Sequence, residues 1–153
     1  VFELALKWLR DNDPGPSAEV TLVHGDFRHG NLIIGADGAR AVLDWELAHL
    51  GDPMEDLGWI CVNSWRFGEI DKPVGGFGTR DELFAGYEAA GHRVDPARVM
   101  FWEVMGTLRW GVMCCGMMQR FRTSPERSIE RAMIGRRSSE TEIDLLRLLA
   151  PRS

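Results

Sequence analysis

The sequence predicts an α+β domain, mainly helical, with a small β-hairpin near its start. Three short runs rich in β-branched or apolar residues, at 20–23, 31–34 and 40–43, are each of strand length and are separated by turn residues. From residue 52 onward the pattern turns helical, with capping residues and glycines at the ends of longer apolar segments. At 153 residues, 44% of them hydrophobic, the chain is one domain's worth and holds enough apolar side chain for a core. The expected organisation is a single domain over 1–153, with a hairpin region at 20–46 and a helical subdomain at 52–153.

In order along the chain, apolar side chains at 1, 2, 4, 5, 6, 8 and 9 predict a helix that is apolar on nearly every side and therefore buried. Gly35, Ala36, Asp37 and Gly38 separate the second and third runs, and an Asp-Gly step supplies the positive backbone angles of a tight hairpin. Asn31 and Asp44 then stand at the two ends of one hairpin, neighbours in space, with Asp26 on the loop that enters it. A helix is expected over 53–63, with Asp52 as N-cap, Pro53 at the first helical position and Glu55 completing a capping box. After a loop holding Pro73, Gly75, Gly76 and Gly78, Thr79 caps the next helix with Glu82, and Gly91 ends it. Asp95 and Pro96 open a long helix to about residue 122, roughly 40 Å of rise. Gly106, Gly111 and Gly116 weaken that helix, which suggests close approach of a neighbour at some of them. Ser124 and Pro125 start another helix, Gly135 closes it, and Ser139 with Glu142 caps the last.

Composition narrows the function classes. A formal net charge of -5 and a pI near 5.4 argue against nucleic acid as the primary partner. No apolar run reaches the roughly 18 residues of a membrane span, since 99–118 is broken by Glu103, Arg109 and glycines. Cys61, Cys114 and Cys115 have no C-x-x-C spacing, so free thiols in a reducing cytoplasm are expected.

Asp26, Asn31 and Asp44 place three oxygen-bearing side chains around one short hairpin. Asn31 and Asp44 suit Mg²⁺, which takes one or two protein oxygens and completes its octahedron with nucleotide phosphate and water. A carboxylate outside the metal's shell can accept the proton of an attacking hydroxyl, a role that suits Asp26. Arg28 puts a guanidinium where charge builds up on a phosphoryl group in transit. A purely structural metal site fits poorly, because such sites saturate the ion with protein ligands.

The run His24-Gly25-Asp26-Phe27-Arg28-His29-Gly30-Asn31 resembles the catalytic loop of the aminoglycoside phosphotransferase and choline kinase group, within the kinase-like superfamily. In protein kinases the matching signature is H-R-D, four residues and Asn, followed later by the D-F-G aspartate. Asp44-Trp45-Glu46 stands in that later place, and Asp52-Pro53-Met54-Glu55-Asp56-Leu57 resembles the D-P-x-x-D-L segment of the small-molecule branch. The phosphotransferase domain fused to, or encoded near, acyl-CoA dehydrogenases is similar in the same way. The resemblance implies the mainly helical C-terminal lobe of a protein-kinase-like fold, with Asp26 as catalytic base and Arg28 in the place of the kinase catalytic-loop lysine. It implies that Asn31 and Asp44 hold Mg²⁺ and, through it, ATP or another nucleoside triphosphate. Asp56 is implied as support, its carboxylate accepting backbone N–H groups of the loop, and His24 as an orienting and packing residue.

The interval from Asp44 to Asp52 is too short for the phosphosite and A-P-E anchor of a regulated protein kinase. The expected acceptor is therefore a small-molecule hydroxyl: an aminoglycoside-like sugar, an amino alcohol or a hydroxyacyl thioester. The competing reading, a catalytically silent ligand-binding or interaction module, is disfavoured by the intact Asp26, Asn31 and Asp44. No glycine-rich loop and no strand lysine with a helical glutamate partner precedes Asp26. The expectation is accordingly a lobe whose N-terminal nucleotide lobe is missing, inactive alone, with surfaces open to a homodimer contact.

Other residues invite a role. His29, beside the loop, is a candidate contact to substrate or phosphate. Glu103, Arg109 and Trp110 of the long helix are candidates for the acceptor pocket, and Trp59, Trp65 and Trp102 offer aromatic faces for which core packing is the default. Arg120, Arg122, Arg127, Arg131, Arg136 and Arg137, interleaved with Glu126 and Glu130, read as a solvated helical face compatible with an anionic substrate tail.

Overall fold

Helices supply most of the fold in the computed structural model, which describes residues 1–125 and 128–150; Glu126 and Arg127 of the basic stretch lie outside them. The elements are α1 (Phe2–Asp11), β1 (Thr21–Val23), β2 (Leu32–Gly35), β3 (Gly38–Val42), β4 (His49–Gly51), α2 (Met54–Cys61), α3 (Arg80–Ala89), α4 (Pro96–Thr123), α5 (Ile129–Gly135) and α6 (Ser138–Leu149). Short 3-10 turns occupy His29–Asn31, Trp45–Leu47 and Asn63–Trp65. Two compact units result: Asn12–Glu103, and Val1–Asp11 with the chain from Val104 onward.

In the first unit β2 and β3 form the expected hairpin, with Gly35 opposite Gly38 and Ala36 and Asp37 at its tip. The positive φ falls on Gly38 (115°) and not on Asp37. Ile33 pairs with Ala41 and Ile34 with Ala39, so Arg40 is the extra residue of a β-bulge. The run at 20–23 does not join this hairpin. It becomes β1 and pairs antiparallel with β4, Val23 opposite His49. Three residues carry no readable period, so this pairing had no sequence signal. Its effect is a two-stranded base from which the whole segment 24–48 projects.

Asp52 turns the chain toward α2, its Oδ1 accepting from Met54 N at 3.0 Å and its carbonyl from Glu55 N at 3.0 Å, but the helix begins one residue later than expected, with Pro53 as its N-cap and without the expected capping box. The Glu55 carboxylate reaches His49 Nε2 at 3.3 Å. The helix ends earlier than expected because Val62 is extended (φ -56°, ψ 130°) and the chain then turns through Asn63–Trp65. Met54 and Leu57 of α2 and Val99 of α4 form a buried cluster with Leu83, Phe84 and Tyr87 of α3 packed on it. Ile60, Cys61 and Val74 form a second, covered by Phe27 and Leu32. Phe27 and Leu32 thereby seat the hairpin on α2.

Thr79 and Glu82 make both halves of the capping box of α3, and Gly91 follows that helix with φ 92°. Thr79→Ala is expected to destabilise the chain by about 1 kcal/mol, read as a lower denaturant midpoint at unchanged slope. Asp95 Oδ1 accepts from Ala97 N and Arg98 N at 3.0 and 3.2 Å and opens α4, a helix of 28 residues.

The second unit departs from expectation at its helix ends. α5 is capped by Ser128, whose side chain accepts from Arg131 N, and not by Ser124, whose N–H still serves Arg120 O in closing α4. Ser139 does not cap α6 either, because Arg136 and Arg137 are already in right-handed helical conformation and leave no extended residue before the helix. α1 is amphipathic rather than wholly buried: Ala5 and Leu9, one turn apart, are buried while Leu4 and Leu6 are half exposed. Close approach holds at Gly111, where a methyl would stand 2.5 Å from Thr141 Oγ1 and 2.6 Å from the Phe2 ring, but not at Gly116, which has open space. Among the described residues no helix is long and apolar enough to cross a membrane.

Candidate active site

His24, Gly25 and Asp26 leave β1 and are held from beneath by α2. Asp56 Oδ2 accepts from His24 N at 2.7 Å and Asp56 Oδ1 from Gly25 N at 3.0 Å. Gly25 has φ 81°, and a Cβ there would lie 2.6 Å from the Leu47 carbonyl oxygen, so both backbone angle and space demand glycine. The His24 ring is buried. Its Nδ1 accepts from Asp26 N at 3.1 Å, so the proton sits on Nε2, which donates to Leu43 O at 2.8 Å. One imidazole thus ties the loop to the end of β3, with the Trp45 ring against it at 4.6 Å between centroids.

Asp26 is the most heavily bonded carboxylate of the loop. Trp59 Nε1 donates to its Oδ1 at 2.8 Å, Asn31 Nδ2 to its Oδ2 at 2.8 Å, and Arg28 Nε to both oxygens at 3.2 and 3.1 Å. Asn31 Nδ2 also donates to the Asp26 carbonyl at 2.9 Å, which commits the amide nitrogen inward and leaves the amide oxygen for another partner. The Arg28 guanidinium carbon lies 5.2 Å from the centre of the Trp65 ring, a cation–π contact. Its terminal nitrogens make no hydrogen bond among the described residues.

Asp44 has φ 66° and ψ 58°, a left-handed conformation, and its exposed carboxylate makes no hydrogen bond among the described residues. The preceding residue pairs with Asn31 through Leu43 N to Asn31 O at 2.8 Å. Asp26, Arg28 and Asn31 are therefore one hydrogen-bonded group, with Asp44 joined to it through the backbone of Leu43. Asn31 Oδ1 and an Asp44 carboxylate oxygen are hard donors of the kind that suits Mg²⁺ completed by phosphate and water. Among the described residues no three His, Cys, Asp or Glu side chains gather into a metal cage.

The outer candidates separate. His29 is exposed; its Nδ1 donates to Gly75 O at 3.1 Å, and its ring makes T-shaped contacts with Phe67 and Phe77. It lies on the wall of an apolar cavity of about 610 Å³ lined also by Phe27, Leu32, Ile60, Val74 and Phe77. A second cavity of about 430 Å³ lies across Phe27 and Leu83, with Asp56, Glu82 and Tyr87 on its walls. Glu103 lines neither. It is 1% exposed, with Arg80 NH2 at 2.6 Å and Arg66 NH2 at 3.1 Å, a buried ion cluster. Arg109 and Trp110 belong to the second unit, where Arg137 lies over the Trp110 ring at 6.0 Å. Trp102 Nε1 donates to Asp52 at 2.9 Å beside Arg98. Burial pushes the Cys61 thiol up to about 12 and the Cys114 thiol up to about 11, so neither is a nucleophile.

Two residues at the loop escaped the sequence reading in this role, Trp59 and Trp65. A signal for Trp59 existed: it follows Asp56 by one helical turn and so shares the α2 face that meets the loop.

Residues 1–101 match the sequence profile described as a phosphotransferase enzyme family. A stretch of 59 residues is 51% identical to acyl-CoA dehydrogenase family member 11 of Gallus gallus, covering 37% of this chain and 8% of that protein. Over 63 residues, 40% of this chain and 6% of the relative, identity to acyl-CoA dehydrogenase family member 10 of Mus musculus is 47%. A Ralstonia eutropha crystal structure, solved as a candidate aminoglycoside phosphotransferase, superposes with a TM-score of 0.73 at 25% identity, over 96% of this chain and 48% of that one. The chain spans less than a tenth of these curated relatives and about half of the solved neighbour.

Proposed function

The chain belongs to the phosphotransferase enzyme family, and on that premise we propose that it carries the catalytic loop of an ATP-dependent kinase acting on a small-molecule hydroxyl. The observation that carries this reading is the setting of Asp26. Trp59, Asn31 and the one Arg28 Nε–H shared between both oxygens fix the direction of a carboxylate whose side chain keeps 18% of its surface exposed, where an incoming hydroxyl can reach it. In that role Asp26 accepts the hydroxyl proton as the oxygen attacks phosphorus. The unengaged nitrogens of Arg28 serve the phosphoryl oxygens, where charge develops. Asp44 and the Asn31 amide oxygen hold Mg²⁺, which when bound offsets the charge of the nucleotide phosphates. The remaining nucleotide contacts come from an N-terminal lobe of the longer protein, a reading supported by the solved neighbour being about twice as long. Three free cysteines support a reducing, cytoplasmic setting.

The apolar cavity bounded by Phe27 and His29, the two residues flanking Arg28, supports an acceptor with an apolar portion. Together with the similarity to proteins named as acyl-CoA dehydrogenases, it favours a hydroxyacyl thioester over an aminoglycoside-like sugar or an amino alcohol. ATP-to-ADP conversion by the full-length protein across the three acceptor classes tests this. Turnover with the thioester is expected; no turnover with any acceptor would favour the silent module. Asp44→Ala is expected to weaken Mg-ATP binding by at least about tenfold in calorimetry, and an unchanged affinity would remove Asp44 from the metal site.

A further inference from the structure

Two adjacent carboxylates in the first turn of α2 grip the two strands of the base sheet. Asp56 takes the N–H groups just past β1, and Glu55 takes the ring of His49, the first residue of β4. Val23 and His49 are directly opposite in the sheet, so both grips act at the end from which the candidate catalytic loop projects. The His49 ring has an acceptor at each nitrogen, the Leu47 carbonyl oxygen 3.0 Å from Nδ1 and Glu55 Oε2 3.3 Å from Nε2. A neutral imidazole has one N–H and would set a lone pair against one of these oxygens, whereas imidazolium donates to both. Space for the ring is provided at Gly51, where a methyl would stand 3.1 Å from His49 Nε2 and Cδ2. The carbonyl that His49 holds is also the one packed against Gly25 of the loop.

We propose that His49 is a positioning residue: its doubly donating imidazolium fastens the segment 44–51 to α2, and the order of the loop carrying Asp26 depends on pH through it. The charged groups bearing on the ring are Glu55 and Asp56 of α2; its own segment supplies the Leu47 carbonyl, and Val23 across the sheet brings no charge. The Leu47 carbonyl above all, then the two carboxylates, hold the His49 pKa above its ordinary value, against partial desolvation that opposes them. A folded-state pKa above the unfolded one contributes stability that is complete below the ordinary value and is lost as pH rises through the folded pKa. The catalytic meaning of the clamp rests on the phosphotransferase reading; its structural content does not.

The test follows the His49 ring and the Gly25 and Asp26 amides of the 153-residue chain by NMR, from about pH 5.5 to about pH 8.5, without nucleotide. His49 is expected to titrate above about 6.5, the two amides to share its midpoint, and the thermal midpoint to fall across the same range. In His49→Gln, which keeps one donor but does not titrate, that shared inflection should vanish. A His49 midpoint at or below the ordinary value, or an amide inflection that survives in His49→Gln, overturns the proposal. Should His49→Gln fail to fold, Glu55→Gln keeps an acceptor without the charge and should lower the His49 midpoint; an unmoved midpoint overturns the clamp. A failed titration leaves the phosphotransferase reading standing, and an inactive full-length enzyme with an intact His49 inflection does the reverse.

Discussion

Asp26→Asn in the full-length protein is expected to slow phosphoryl transfer on the order of a thousandfold, the range lost when a general base is removed, while sparing Mg-nucleotide binding. The carboxylate accepts from Trp59, Asn31 and Arg28. An amide can satisfy Trp59 with its oxygen, but its NH₂ then faces the Asn31 amide nitrogen. Asn31 cannot turn to relieve this without losing its bond to the Asp26 carbonyl. The substitution therefore removes the proton acceptor, while Asn31 keeps its bond to the Asp26 carbonyl and its amide oxygen for the metal. Single-turnover rates separate the chemical step from binding, and titration with Mg-ATP measures the latter. An unchanged turnover would end the assignment of Asp26 as base.

Asp56→Ala should have the largest effect on stability. Asp56 supplies the acceptors for His24 N and Gly25 N, both on buried residues. Each buried donor deprived of its acceptor costs about 1–3 kcal/mol, so a loss of about 2–6 kcal/mol is expected, together with loss of activity. Asp56→Asn, which keeps one acceptor, should fall between. Equilibrium denaturation gives the first number and the full-length turnover the second. A wild-type denaturation midpoint in Asp56→Ala would show that the loop is held by other contacts.

Local chemistry was legible. The capping box of Thr79 and Glu82, the start of α4 at Asp95 and Pro96, the tip of the β2–β3 hairpin and the Asx turn of Asp52 onto α2 are each decided within a few residues. Where the local rule met a competing one it failed. Ser139 is a good cap residue by type, but the preceding backbone was already helical. An apolar run at the first helix suggested burial all round, yet two positions one turn apart suffice for its packing.

The site divides along the same line. That Asp26, Arg28 and Asn31 share one loop follows from their spacing, and Asp56 lies where a supporting helix begins. What each atom touches was not readable. Trp59 reaches Asp26 from 33 positions away, and Glu103 pairs with Arg66 across 37. Such contacts depend on how elements pack, and many residue types would satisfy the same periodicity.

Turn chemistry, capping and the ordered carboxylates and amide of the loop were determined by the sequence, because these depend on backbone preferences and side-chain donors over a few neighbouring residues. Only the tertiary structure decided that β1 would pair with β4, that Trp59 of α2 would reach Asp26, and that Glu103 would be sealed between two arginines. Pairing and packing are set by the competition of distant segments for buried area and hydrogen-bond partners, a competition that no single stretch of chain contains.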